Sequence, residues 1–219
     1  LSAWKKQTPT ITYGIGNAFS NIGYNVQSYH NWTYTYYKRN ITMKTLGFNS
    51  YTGCGNGLEK KINCQWLPSD VDMINVTLPD YINKEGNFAT YYVTVSGHSP
   101  YNASSNIAKK YLNQIEGEYS SAVKYYLASQ IELDKMLETL INQLEENNQL
   151  ENTVIALVGD HYPYTLSTDE MNEMSSYKKD GTIEVNHSNF IIWNSEIKEP
   201  IIIDKLGSQI DVLPTLLNL

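Results

Sequence analysis

Three of the four histidines in this chain stand just beyond segments that read as β-strands. His30 follows a candidate strand at 24–29. Two residues separate His98 from another at 88–95, and two separate His161 from a third at 153–158. Open parallel sheets bind ligands at the carboxyl ends of their strands. One histidine so placed reads more often as packing; three with a shared placement read as a site, expected along one sheet edge. Arg39, the single arginine beside 15 lysines, comes nine residues after His30. A guanidinium matches a tetrahedral oxyanion through parallel N–H donors; the plainer reading is a surface arginine. Asp160 and His161 put a carboxylate and an imidazole side by side, which suits a divalent metal of the Mn²⁺ or Zn²⁺ kind. That dipeptide alone is weak, but here the five apolar residues Val154 to Val158 lead into Gly159 and Tyr162-Pro163-Tyr164 follows.

The elements that must position these groups alternate in type. A helix is expected over 10–22, ended by Gly23, with strands at 24–29 and 46–51. Residues 70–82 read as a helix with an acidic first turn. The aromatic and β-branched run 88–95 reads as a buried strand. A long helix is expected over 116–147, with Val123, Leu127, Ile131, Met136, Leu137, Leu140, Ile141 and Leu144 along one stripe. Residues 153–158 form a continuous apolar run of the parallel-sheet kind, 189–193 and 201–203 are further strands, and 208–219 starts a helix. This pattern predicts an α/β fold with a mostly parallel sheet.

Bulk properties narrow the function. A length of 219 residues suits one α/β domain. The net charge is −7 and the basic residues occur as isolated pairs (Lys5-Lys6, Lys60-Lys61, Lys178-Lys179), so no nucleic-acid partner is expected. No apolar stretch approaches the roughly 20 residues of a membrane span. The 18 tyrosines, several of them between Tyr24 and Tyr51, read either as a polar, partly wet lining or as surface decoration. Cys54 and Cys64 bracket a glycine-rich loop; a disulfide, fitting an oxidising compartment, and two structural thiols are both open.

Three segments carry a more specific signal: Thr94-Val-Ser-Gly-His-Ser-Pro-Tyr101, Val154-Ile-Ala-Leu-Val-Gly-Asp-His161 and Ser208-Gln-Ile-Asp-Val-Leu-Pro-Thr-Leu-Leu-Asn-Leu219. In this order they resemble the lipoteichoic acid synthase family, in the sulfatase-like branch of the alkaline phosphatase superfamily. The similarity runs from the helix before Gly23 to Leu219. It implies a mostly parallel mixed sheet flanked by helices. It also implies Asp160 and His161 as ligands of Mn²⁺ (or Zn²⁺, Mg²⁺ or Ca²⁺), and His98 as the catalytic histidine that contacts phosphate. His30, Tyr37 and Arg39 match in spacing the group that holds the glycerophosphate head, with His30 also a candidate acid or base. Tyr37 stands where that family has tryptophan, a departure that alters the head-group pocket.

The implied activity is glycerophosphate transfer from a phosphatidylglycerol-type lipid through a phosphorylated threonine. The partners would be an anionic phospholipid head group, or a phosphate or sulfate ester. The implied location is extracytoplasmic, at a bacterial membrane held through an upstream segment. The family's threonine and glutamate would lie before Leu1, so 1–219 is expected to be the C-terminal major part of the catalytic domain, N-terminally truncated. Such a piece is expected to be inactive by itself and to hold metal weakly. An extracellular sulfatase or phosphodiesterase of the same superfamily is an alternative, although Thr-x-Ser-Gly-His-x-Pro-Tyr leans to a phosphotransferase. A non-catalytic binding domain is another, set against the retention of His30, Arg39, His98, Asp160 and His161 together. His187 precedes a strand and is a weaker candidate. Asp211 suits a helix cap, Asp134 a solvated position on the long helix. The sequons at Asn31, Asn40, Asn75, Asn102 and Asn186 carry no weight in a bacterial setting.

Overall fold

The computed structural model describes residues 11–219; Thr10 and the Lys5-Lys6 pair lie outside them. The chain order is α1 (Ile15–Asn21), β1 (Asn25–Thr33), α2 (Arg39–Thr45), β2 (Ser50–Cys54), α3 (Asp70–Thr77), β3 (Phe88–Val93), α4 (Asn106–Tyr111), α5 (Ser121–Glu146), β4 (Ile155–Val158), α6 (Thr168–Met174), α7 (Thr182–Asn186), β5 (Phe190–Trp193) and α8 (Gln209–Leu216). These elements form two compact units. One holds residues 11–66, Asn75–Thr94 and Glu199–Leu219; the other holds Leu67–Ile74 and Val95–Lys198.

The first unit is built on a parallel sheet of order β2-β1-β3. Its central strand β1 is buried from Val26 to Asn31, which is why polar Gln27, Ser28, His30 and Asn31 are buried with it. On one face Val26 joins Met43 and Phe48, with Ile15, Phe19, Tyr24 and Leu46 packed around them. The expected strand over 46–51 begins later, at Ser50, because Leu46-Gly47-Phe48 ends α2. Gly47 takes φ 92°, its N–H bonds Lys44 O at 3.1 Å, and Phe48 N–H bonds Met43 O at 3.1 Å. This is the paired-bond helix stop that demands a left-handed residue, and Phe48 packs against Met43 to complete it.

The opposite face explains several tyrosines. Tyr29 stacks on Tyr92 at 5.4 Å between ring centroids and donates to Asp80 Oδ2 at 3.4 Å. Tyr92 donates to the Tyr81 hydroxyl at 3.1 Å. These are core residues with satisfied hydroxyls, neither a wet lining nor surface decoration. Cys54 and Cys64 form a disulfide, with Cα atoms 6.1 Å apart.

In the second unit α5 packs along α4 and α6. Its buried stripe is Val123, Ala128, Ser129, Glu132, Met136 and Leu144. Leu127, Ile131, Leu137, Leu140 and Ile141, expected in that stripe, are only partly buried. Glu132 is fully buried, and a buried carboxylate requires partners. It accepts from Tyr111 Oη at 2.6 Å and from Ser69 Oγ, and pairs with Lys110 Nζ at 3.5 Å.

Two strand expectations are corrected here. The run at 153–158 forms β4, but β4 pairs antiparallel with β5, Ile155 opposite Trp193 and Val158 opposite Phe190. An apolar run records how much surface asks for cover, not the direction of its neighbour; Val158 and Ile191 remain about half exposed. Residues 201–203 form no strand, and all three isoleucines are mostly exposed. The helix after Ser208 is present, and Asp211 caps it as expected, accepting from Ser208 N–H at 2.7 Å. Asp134 is exposed on α5. The architecture is α/β, a parallel sheet flanked by helices. Among the described residues no helix is long and apolar enough to cross a membrane.

Candidate functional site

The sequence-derived residues fall into two clusters, one in each unit. In the first, His30 lies within β1, not after it. The strand continues to Thr33, while the β1–β3 ladder ends at the rung His30–Val93. Its ring is almost fully buried and both nitrogens are used. Val93 O, 2.9 Å from Nδ1, can only accept, so Nδ1 carries the proton. Arg39 Nη1, 3.3 Å from Nε2, can only donate, so Nε2 offers its lone pair. This logic makes His30 a neutral ring that braces the guanidinium.

The electrostatics agree. Burial above all, with the neighbouring Arg39 charge adding to it, lowers the His30 pKa to about 4. An acid or base acting near neutral pH therefore does not fit this ring. The folded state resists a proton that the unfolded chain takes up near pH 6.5, so the unfolded state binds more protons in between and stability rises with pH there. Full stability is expected above about pH 6.5, with a loss of up to about 3 kcal/mol as pH falls toward 4. Urea midpoints for the parent and His30→Gln across that range check this; equal slopes for the two would refute it.

Gly53 faces His30 across the ladder where β1 bulges. A Cβ there would stand 3.0 Å from His30 O and 3.2 Å from Trp32 O, a tight contact that glycine relieves. Beyond the bulge, Tyr37 and Lys38 take φ 51° and 57°. Two successive left-handed non-glycine residues cost on the order of 1 kcal/mol each, and they sit immediately before Arg39 at the start of α2. The Arg39 Cζ lies 5.7 Å from the Tyr36 ring centroid and 5.6 Å from that of Tyr37, both rings well exposed. The guanidinium is thus anchored from behind by His30 and flanked by aromatic faces.

The second cluster holds His98, His161, Asp160 and Tyr164. His98 comes five residues after β3 ends, on a turn closed by its own N–H to Val95 O at 2.9 Å. Gln130 Nε2 and Tyr101 Oη both donate to Gly97 O at 3.2 Å, and Asp70 binds the main chain of Val95 and Ser96. His98 Nδ1 donates to Ser99 O at 3.0 Å, and Nε2 meets the Tyr164 hydroxyl at 3.2 Å. The His161 ring lies edge-on to His98 at 6.0 Å and 4.9 Å from Tyr164. His161 Nδ1 donates to Tyr162 O at 2.8 Å, leaving Nε2 at 3.6 Å from Asp160 Oδ2.

All three imidazoles thus share one arrangement: Nδ1–H tied to a main-chain carbonyl, Nε2 turned to a functional partner. For His161 this is the tautomer a metal ligand requires. Nε2 and the Asp160 carboxylate are a nitrogen and an oxygen donor of the types that divalent metals of the Mn²⁺ or Zn²⁺ kind accept, so the pair fits two of a metal's donors. Among the described residues no group of three or more His, Cys, Asp or Glu side chains is placed to hold a metal ion. His187 has its Nδ1 2.8 Å from Tyr177 Oη and its carbonyl accepting from Lys179. Tyr164, Asp70 and Gln130 were not legible as site residues, since each acts through contacts distant in sequence.

The sequence profile of the sulfatase family matches residues 3–219. The lipoteichoic acid synthase-like protein YvgJ of Bacillus subtilis is 22% identical over 198 residues, covering 84% of this chain and 31% of that protein. The crystal structure of the lipoteichoic acid synthase LtaP from Listeria monocytogenes superposes with a TM-score of 0.73 at 22% identity, covering 97% of this chain and 55% of that one. The Streptococcus pyogenes phosphoglycerol transferase GacH, solved with sn-glycerol-1-phosphate, gives 0.55 at 21% identity, covering 78% and 43%. The chain therefore spans about a third to a half of the length of these relatives. It belongs to the sulfatase family and has the fold of the lipoteichoic acid synthase LtaP.

Proposed function

We propose that the chain contributes the ester-binding and proton-handling groups of a phosphoglycerol transferase. The observation that carries this reading is Arg39: the only arginine, anchored by a neutral histidine and flanked by two exposed tyrosine rings. A guanidinium held in this way pairs with phosphoryl oxygens at little ordering cost. The glycerol phosphate bound to GacH supports the choice of ester.

Arg39 neutralises the non-bridging oxygens, His30 orients it, and Tyr37 packs the head group in the family's tryptophan position. His98 moves a proton at Nε2 and exchanges its Tyr164 contact for the substrate. Asp160 and His161 would hold the divalent cation usual in the superfamily, and a bound cation would supply charge stabilisation at the phosphoryl oxygens.

The full reading is a two-step transfer. The P–O bond to the diacylglycerol of a phosphatidylglycerol-type lipid breaks as a P–O bond to an enzyme threonine forms. An alcohol then displaces the threonine. The reading includes an extracytoplasmic location at a bacterial membrane, which the Cys54–Cys64 disulfide supports.

Calorimetric titration of the 219-residue chain with sn-glycerol 1-phosphate and with sulfate tests the proposal. Preference for the glycerol ester by about tenfold or more is expected. The family match favours a second reading, a sulfatase, and equal or tighter sulfate binding would select it. No binding of either anion would refute both.

A further inference from the structure

Beside Arg39 lies a further polar group, the Tyr51 phenol. Tyr51, on β2, has a hydroxyl oxygen that is buried and without a hydrogen-bond partner among the described residues. An unpartnered buried hydroxyl costs free energy, and native structures retain few of them. In the parallel β1–β2 ladder Ser28 pairs with Tyr51 and His30 with Gly53. Residues in register share a sheet face, so Tyr51 lies on the face that carries His30. Ser28, its partner, also has a buried hydroxyl without a partner. The Arg39 charge acts directly on the Tyr51 phenol, opposing the burial that raises its pKa to about 12. The phenol therefore keeps its proton at neutral pH and can only add a donor to an oxyanion. The Tyr34 ring lies 6.1 Å from that of Tyr51.

We propose that the Tyr51 hydroxyl is a third group of the ester site, donating to an oxygen of the phosphate ester that Arg39 and its flanking tyrosines hold. Its oxygen is buried in the free protein, so binding must bring the ester to it while Arg39 stays braced by His30. The inference deepens the phosphoglycerol reading and rests on it.

Tyr51→Phe deletes one oxygen and leaves the ring packing in place. Its affinity for sn-glycerol 1-phosphate, by calorimetry on the 219-residue chain, is expected to fall about tenfold. Its melting temperature should equal or exceed the parent's, since the hydroxyl has no partner to lose. A matching loss for inorganic phosphate assigns the contact to the phosphoryl group; a loss confined to the ester assigns it to the glycerol. Either result upholds the proposal. Parental affinity in Tyr51→Phe, while Arg39→Ala loses binding, overturns it and leaves the reading of Arg39 intact. Parental affinity in both variants removes that reading, and Tyr51 with it. A marked drop in melting temperature would make the hydroxyl structural and also overturn the proposal.

Discussion

Replacing Arg39 by alanine is expected to weaken binding of sn-glycerol 1-phosphate by at least about a hundredfold. Charge-assisted hydrogen bonds contribute about 1.5–3 kcal/mol each, a guanidinium makes two in parallel to a phosphoryl group, and 1.4 kcal/mol is a factor of ten. The geometry supports the upper part of that range. His30 Nε2 holds Nη1 from behind at 3.3 Å and the Tyr36 and Tyr37 rings flank the plane, so little side-chain freedom is left to lose. Lysine keeps the charge but not the fork, the His30 contact or the flat face against the rings; about a tenfold loss is expected for Arg39→Lys. Calorimetry at low and physiological salt measures both, and the parent's affinity should fall as salt screens the charge. If both variants bind as the parent does, Arg39 is an ordinary surface arginine.

Where burial and periodicity coincide, the sequence was a good guide. The strand at Phe88–Val93 and the body of α5 follow from apolar and β-branched patterning alone. Boundaries were lost where a second force acted. The stretch Leu46-Gly47-Phe48 looks like the entry to a strand, yet its apolar residues close a helix and pack on Met43. His30 reads as lying past a strand because His30 and Asn31 are polar. The strand continues through them because β2 and β3 cover both of its edges.

The site was legible as a set of residue types but not as an arrangement. Strand-end histidines, a lone arginine and an Asp-His pair are visible in one dimension. That His30 spends both nitrogens on positioning Arg39 is not, because Val93 O is 63 residues away. The same applies to Tyr164, which reaches His98 across 66 residues, and to Gln130, which reaches Gly97 across 33. These contacts depend on tertiary placement, for which local propensity has no signal.

Asp70 shows the same limit and carries the second large effect. As one of two acids in the first turn of α3, it reads as a helix-dipole residue. Its carboxylate is instead fully buried and bonds another segment: Val95 N–H at 3.0 Å, Ser96 N–H at 3.1 Å and the Ser96 hydroxyl. The start of α3 is capped by Ser69, whose Oγ accepts from Asp72 N–H at 3.0 Å. Asp70 thus ties down the main chain that turns through Gly97 into His98. Asp70→Ala would leave two main-chain N–H groups and a hydroxyl buried without partners, each costing about 1–3 kcal/mol. A loss of about 3–5 kcal/mol is expected, and at about 2–4 °C per kcal/mol for a chain of this size the melting temperature should drop by about 10–15 °C. Asp70→Asn should fall between parent and alanine, because one amide oxygen can accept while the NH₂ group meets a donor. Were the carboxylate only answering the dipole of α3, the loss for alanine would stay near 1 kcal/mol or below. A thermal melt of the two variants separates these cases. In Asp70→Asn, which should remain folded, the ¹H–¹⁵N signals of the His98 ring should broaden or shift while those of the His30 ring do not. An unchanged His98 signal would mean that Gln130 and Tyr101 hold the turn without Asp70.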